Sequence, residues 1–109
     1  MNAFRASLLA AALVLPVSVA TADVAAIYKK HCASCHAKDG SGSTRMGKKT
    51  GARDYRDAKV QASFTDAEAL AAIKDGVKKD GKQKMKGYAE KLSEAEMKEL
   101  VTYIRAFKK

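Results

Sequence analysis

The clearest periodicity in the chain lies near its end. In LSEAEMKELVTYIRAFKK, residues 92–109, Met97, Leu100, Val101, Ile104 and Phe107 recur three and four apart, the spacing of one buried helix face. Ser93 and Glu96 form a capping box at the start. Leu92 and Met97 occupy the two positions of a hydrophobic staple, and the last turn is basic. A second helix is predicted from FTDAEALAAIKDG, residues 64–76, with Thr65 and Glu68 as its capping box and Leu70, Ile73 and Val77 as its stripe. Gly76 falls where that helix ends. A third runs from Val24 to Cys32, capped by Asp23, with Val24, Ile27 and Tyr28 on one face. The connections over 37–51, 54–63 and 78–90 are polar and bear most of the glycines. No run alternates well enough to predict a strand. The pattern therefore predicts an all-α domain of about three main helices, with long loops that must cover something.

The first residues read differently. MNAFR is followed by the apolar stretch SLLAAALVLPVSVA and then by Ala20-Thr21-Ala22. A basic start, a short apolar run and an A-x-A site are the marks of a secretory signal peptide, and the run is too short for a convincing membrane span. Residues 1–22 are thus expected to be removed, leaving a mature, non-membrane-spanning domain over 23–109 in the periplasm. A single domain of that size buries a marginal core, and small exported domains add a staple or a cofactor. With two cysteines in the chain, one disulfide is the most that thiols can supply. The net charge of +9 falls only by Arg5 when the leader leaves, and such a surplus bears on partners and solubility.

The chemistry sits in IYKKHCASCHAKDG, residues 27–40, where Cys32, Cys35 and His36 form Cys-x-x-Cys-His. In an exported protein this motif reads as a covalent haem attachment site. Two thiols one helical turn apart reach the two vinyl groups of a porphyrin, and the next residue presents its imidazole to the iron. A thioredoxin-like pair needs a βαβ context that the pattern does not offer. A structural zinc site needs about four ligands, and even with His31 three of them would crowd into one run. A disulfide across two residues staples little chain. The reading is one haem c, held by Cys32 and Cys35, with His36 as proximal iron ligand.

Around that motif the sequence resembles the class I cytochromes c in their small bacterial, monohaem form. The likeness rests on an aromatic ahead of CASCH, a methionine in a late loop, and the closing helix LSEAEMKELVTYIRAF. It implies helices wrapped around one covalently bound haem, the first and last crossing with Tyr28 and Tyr103 at the crossing. For the sixth ligand, His31 precedes the attachment site on the same helix and is expected to be exposed. Met97 belongs to the stripe of the last helix, which leaves Met46 and Met85. The resemblance favours Met85, since family members carry their axial methionine in the loop before the closing helix. Lys86 stands where the family has proline, which implies a more mobile loop.

Histidine–methionine ligation raises the reduction potential and leaves no open coordination position. The implied function is single-electron transfer by a periplasmic carrier, and not an enzyme. Lys78, Lys79, Lys82, Lys84 and Lys86, with the pairs Lys29–Lys30 and Lys48–Lys49, read either as a solvated face or as a surface that steers acidic docking patches of redox proteins and membrane redox complexes. Nucleic acid is excluded as a partner, because the aromatics do not interleave with the lysines. A small diffusing carrier is expected to be a monomer. Tyr55, Arg53 and Arg56 are candidates for holding the haem propionates, or else simply exposed. The glycines of KDGSGSTRMG are expected to turn close to the porphyrin. Two rivals stay open: a haem enzyme or gas sensor with an open sixth position, and a haem-free binding module with a Cys32–Cys35 disulfide.

Overall fold

The computed structural model describes residues 10–14 and 23–109. Apart from residues 10–14, the expected leader, its A-x-A site included, lies outside the described residues. The described domain contains α1 (Val24–His31), α2 (Ala33–His36), α3 (Arg45–Thr50), α4 (Ala58–Ala62), α5 (Asp66–Asp75), β1 (Val77–Lys79), β2 (Lys82–Met85) and α6 (Glu94–Arg105). The three longest helices, α1, α5 and α6, are the three the pattern predicts, and three short ones join them.

The caps act as the sequence suggests. Asp23 accepts from the Ala25 N–H at 3.0 Å. Both capping boxes are closed: Thr65 and Ser93 each accept from the N–H three residues on, and Glu68 and Glu96 reach back to the cap N–H groups. These satisfy backbone donors that a helix start otherwise leaves unpaired. The three helices meet in one core. Ile27 and Tyr28 come from α1, Ala69 and Ile73 from α5, and Met97, Leu100, Val101 and Ile104 from α6; Leu92 and Tyr88 close it. At the crossing of α1 and α6, the Tyr28 and Tyr103 rings lie 4.9 Å apart, and Phe107 packs 5.3 Å from each.

Two expectations need correcting. The stripe of α5 does not continue to Val77: the helix ends at Asp75, and Val77 is 39 % exposed in β1. Nor is the described domain, though mostly helical, without strands, because β1 and β2 pair as an antiparallel hairpin. Its turn is Asp80-Gly81, with φ of 53° and 73°. Two successive residues at positive φ match the twist of a tight hairpin, and Asp-Gly is a favoured pair there. The β1 residues and the turn are solvent-exposed, so the segment carries no alternation of apolar and polar positions to betray it.

Candidate functional site

Cys32 ends α1 and opens α2, so the Cys-x-x-Cys-His motif is one turn of backbone. The Cys35 and His36 N–H groups both donate to the Cys32 carbonyl, at 3.2 and 2.9 Å. The two thiols and the imidazole therefore share one edge of a single turn. Thr44 fastens α3 to that turn: its hydroxyl donates to the carbonyls of Ser34 and Cys35 and accepts from the Gly47 N–H. Gly47 is required by close approach, since a Cβ there would run into the carbonyl oxygens of Cys35 and Gly42. The glycine-bearing segment thus turns against the Cys-x-x-Cys-His motif itself.

This turn forms one wall of a cavity of about 730 Å³, a size typical of cofactor sites. Cys32, Cys35 and His36 line it, and Met85, at the end of β2, lines it too. Phe64, Ala69, Ala72, Ile73 and Ile104 supply apolar surface between them. Four side chains separated by up to 53 positions in sequence, Cys32 to Met85, thus share one apolar pocket.

The chemistry of the donor set fits a haem. Burial pushes the His36 imidazole below its ordinary pKa, keeping it in the neutral form that ligates metal. Its Nδ1 is buried without a hydrogen-bond partner among the described residues, which leaves Nε2 as the nitrogen that can face the cavity. The Tyr55 ring stacks on it at 5.2 Å and 24°. Cys32 and Cys35 are free thiols, and burial, then the neighbouring Cys35, pushes Cys32 up to about 11. The Cys32 thiol is thus held protonated and uncharged beside an apolar pocket.

The remaining candidates divide. Met46 also lines the cavity but is 49 % exposed on α3, and Met97 is buried in the core, 2 % exposed. His31 is not exposed as expected. It is half-buried on the cavity wall with its ring edge 5.3 Å from Tyr88, whose hydroxyl donates to the His31 carbonyl at 2.9 Å. Desolvation, then Lys30, Lys91 and Lys86, lowers its pKa. Arg53 and Tyr55 line the cavity, whereas Arg56 does not: its Nε and Nη2 each donate to Asp54 at 2.9 Å, and Nη1 reaches Asp39 at 3.4 Å. Arg56 is thus engaged by two carboxylates away from the cavity wall. Sequence reasoning missed Tyr88, a core residue that also lines the cavity, because its segment reads as a polar connection. Its only signal is an aromatic among lysines just before the last helix. Of the hairpin lysines, Lys84 reaches the cavity wall, as do Lys30 and Lys86 outside it.

Residues 19–104 match the family model described as cytochrome c oxidase, cbb3-type, subunit III. Among solved structures, the KustC0563 c-type cytochrome is 36 % identical over 81 % of this chain and 100 % of its own, with a TM-score of 0.72. A tyrosine-to-phenylalanine mutant of Kustc0563 is 34 % identical over 80 % of this chain and 100 % of its own, with a TM-score of 0.70. No curated protein matches. No helix among the described residues is long and apolar enough to cross a membrane. With Cys32, Cys35, His36 and Met85 on the wall of one cavity, and with nearly the whole domain covered by that family model, the chain belongs to the c-type cytochrome family, whose members are haem proteins of electron transport.

Proposed function

We propose that this protein is an exported, monohaem single-electron carrier. Cys32 and Cys35 hold the haem through thioethers, His36 is the proximal ligand, and Met85 is the distal ligand. The observation that carries the reading is that His36 and Met85, far apart in sequence, line one cavity together with both thiols. When bound, the haem supplies a ferric–ferrous couple whose potential a methionine thioether raises. The chain's own residues do the rest. Phe64, Ala69 and Ile73 exclude water from the pocket, His36 stays neutral, and the hairpin end presents Met85. With His36 and Met85 both holding the iron, no position would remain for a substrate, and the protein would carry electrons rather than act as an enzyme. Residues 1–22 are the signal peptide, cut after Ala22, and the mature protein works in the periplasm as a monomer. Its lysines meet acidic patches on larger redox proteins or membrane redox complexes.

The test is the ferric absorption spectrum of the mature protein beside Met85→Ala. A weak far-red methionine-to-iron band is expected in the parent and absent from the variant. A band that survives in Met85→Ala assigns the ligand to Met46. A parent without the band, binding carbon monoxide promptly at neutral pH, overturns the carrier reading in favour of a haem enzyme or sensor. Intact mass gives an independent check: the mature chain from Asp23 plus one haem is expected, and a bare polypeptide mass from a haem-attaching host refutes the attachment site.

A further inference from the structure

Gln61 is the one buried polar residue among the described residues, 5 % exposed, and it sits at the centre of a chain of contacts that ends on His36. Its side-chain N–H groups donate to the Tyr55 carbonyl at 2.7 Å and to the Ile104 carbonyl at 2.8 Å. Its own oxygens are taken by Arg105, whose Nη1 donates to the Gln61 side-chain oxygen at 3.0 Å and to its backbone carbonyl. The rest of the guanidinium is also used: Nη2 donates to the Phe64 carbonyl and Nε to Asp66, each at 2.8 Å. The guanidinium carbon lies 4.2 Å over the Phe64 ring, and the Phe64 edge meets Tyr55 at 5.9 Å. Tyr55 in turn stacks on His36.

A metal-bound histidine is ordinarily oriented by a hydrogen bond from its other nitrogen, which also sets how strongly it donates to the metal. Here that nitrogen is buried with no partner among the described residues, and the ring's orientation falls to the Tyr55 stack. The stack is only as fixed as Tyr55, and Tyr55 is fixed from its carbonyl side by Gln61 and from its ring side by Phe64. Both of those are held by one fork of donors, a geometry that lysine cannot reproduce. We infer that Arg105, through Gln61 and Phe64, is a positioning residue for the proximal ligand, and that it keeps His36 Nδ1 dry and thereby sets the reduction potential. This rests on His36 being the iron's proximal ligand.

The experiment is a redox titration of the holoprotein and of Arg105→Lys, Tyr55→Leu and the double variant, with thermal midpoints measured alongside. Arg105→Lys keeps the charge and loses the fork. Freed from the stack, the His36 ring gains a water at Nδ1 and donates more strongly, which favours ferric iron. The reduction equilibrium is expected to shift about threefold toward ferric, about 28 mV at 59 mV per tenfold. Tyr55→Leu is expected to give a shift of the same sign, and the double variant no more than the larger single one, as coupled residues behave. Asp66→Asn, which trims only the exposed end of the clamp, is expected to give a smaller shift in the same direction and serves if Arg105→Lys yields no holoprotein. A lowered thermal midpoint with an unmoved potential reduces Arg105 to a structural tie and overturns the inference; so do single shifts that add in full. A parent whose ferric spectrum lacks histidine–methionine ligation defeats the underlying reading, whereas a normal parent spectrum with unmoved potentials defeats the positioning role alone.

Discussion

Tyr28 links the Cys-x-x-Cys-His turn to the helix crossing through a single side chain. Its ring is 2 % exposed between Tyr103 and Phe107, and its hydroxyl donates to the Ala37 carbonyl at 2.6 Å, just after His36. A buried hydroxyl with its partner contributes about 1 kcal/mol net, and losing the proton would leave both a buried charge and an unpaired carbonyl. Burial, more than the neighbouring Cys32, Tyr103, Tyr55 and Asp39, therefore holds the Tyr28 hydroxyl far above its ordinary range. The sign follows: the folded state keeps a proton that the unfolded chain releases near pH 10, so this contribution is intact below about pH 10 and is lost as pH rises beyond it. Tyr28→Phe should be less stable than the parent at pH 7 by about 1 kcal/mol in denaturant unfolding. The gap should close or reverse above about pH 10, because the variant has no such proton to lose. A difference that stays constant to about pH 11 would show that the hydroxyl does not titrate with unfolding.

The hairpin is the element whose stability is least secured by its own sequence. A two-stranded hairpin is marginal in water, and in this one Lys79 lies directly opposite Lys82 while Lys78 faces Gln83. No ion pair among the described residues involves these lysines. Its ends hold it instead. Val77 pairs with Met85, the Gln83 side chain donates to the Met85 carbonyl at 2.9 Å, and beyond the strand the Tyr88 N–H donates to the Ile73 carbonyl at 2.8 Å. Like charges directly opposite cost roughly what opposite charges return, about 0.2–1 kcal/mol. Lys79→Glu is therefore expected to stabilise the hairpin, raising the temperature at which the far-red methionine band disappears, with Lys79→Ala in between; the gain should shrink in high salt. An earlier loss of the band in Lys79→Glu would mean that cross-strand repulsion is not what limits Met85. The same element marks where the sequence stops being legible. Helix starts announce themselves through cap residues at fixed spacing, so Thr65–Glu68 and Ser93–Glu96 could be read directly, and the attachment motif carries its own chemistry in one turn. A hairpin whose first strand and turn are exposed, and whose second strand is half-buried only at Lys84 and Met85, has no apolar period to read. The Arg105–Gln61–Tyr55 contacts join residues up to 50 positions apart, 55 to 105, and nothing local in an arginine at a helix end or a glutamine in a short helix points to them.

Across the whole molecule the two signs of charge are sorted by different demands. Acids gather in the first turns of α5 and α6, Asp66 and Glu68 in one, Glu94 and Glu96 in the other, where helix starts favour negative charge. Lysines gather at the cavity and along the hairpin: Lys30, Lys84 and Lys86 on the wall, Lys78, Lys79 and Lys82 on the strands. With a net charge of +9, this places positive potential along the hairpin and on the wall of the cavity. Opposite charge on a partner then speeds encounter by a factor of about 10 to 1,000 at low ionic strength, an advantage that fades as the screening length falls from about 30 Å at 0.01 M to about 8 Å at 0.15 M. The bimolecular rate of electron transfer to an acidic redox protein should therefore fall steeply with added salt. Lys84→Gln with Lys86→Gln should lower that rate several-fold at about 0.01 M and much less at about 0.15 M. Lys98→Gln makes the control, because that residue stands on α6 near Glu94, 4.0 Å away, and lies outside the cavity wall. Rates are compared at matched driving force, since Lys86 neighbours Met85 and its loss can move the potential. If Lys98→Gln slows the reaction as much as the pair does, net charge alone steers the encounter and the lysines at the cavity hold no docking surface. A loss confined to Lys84 and Lys86 locates the path of the electron at the Met85 end of the pocket.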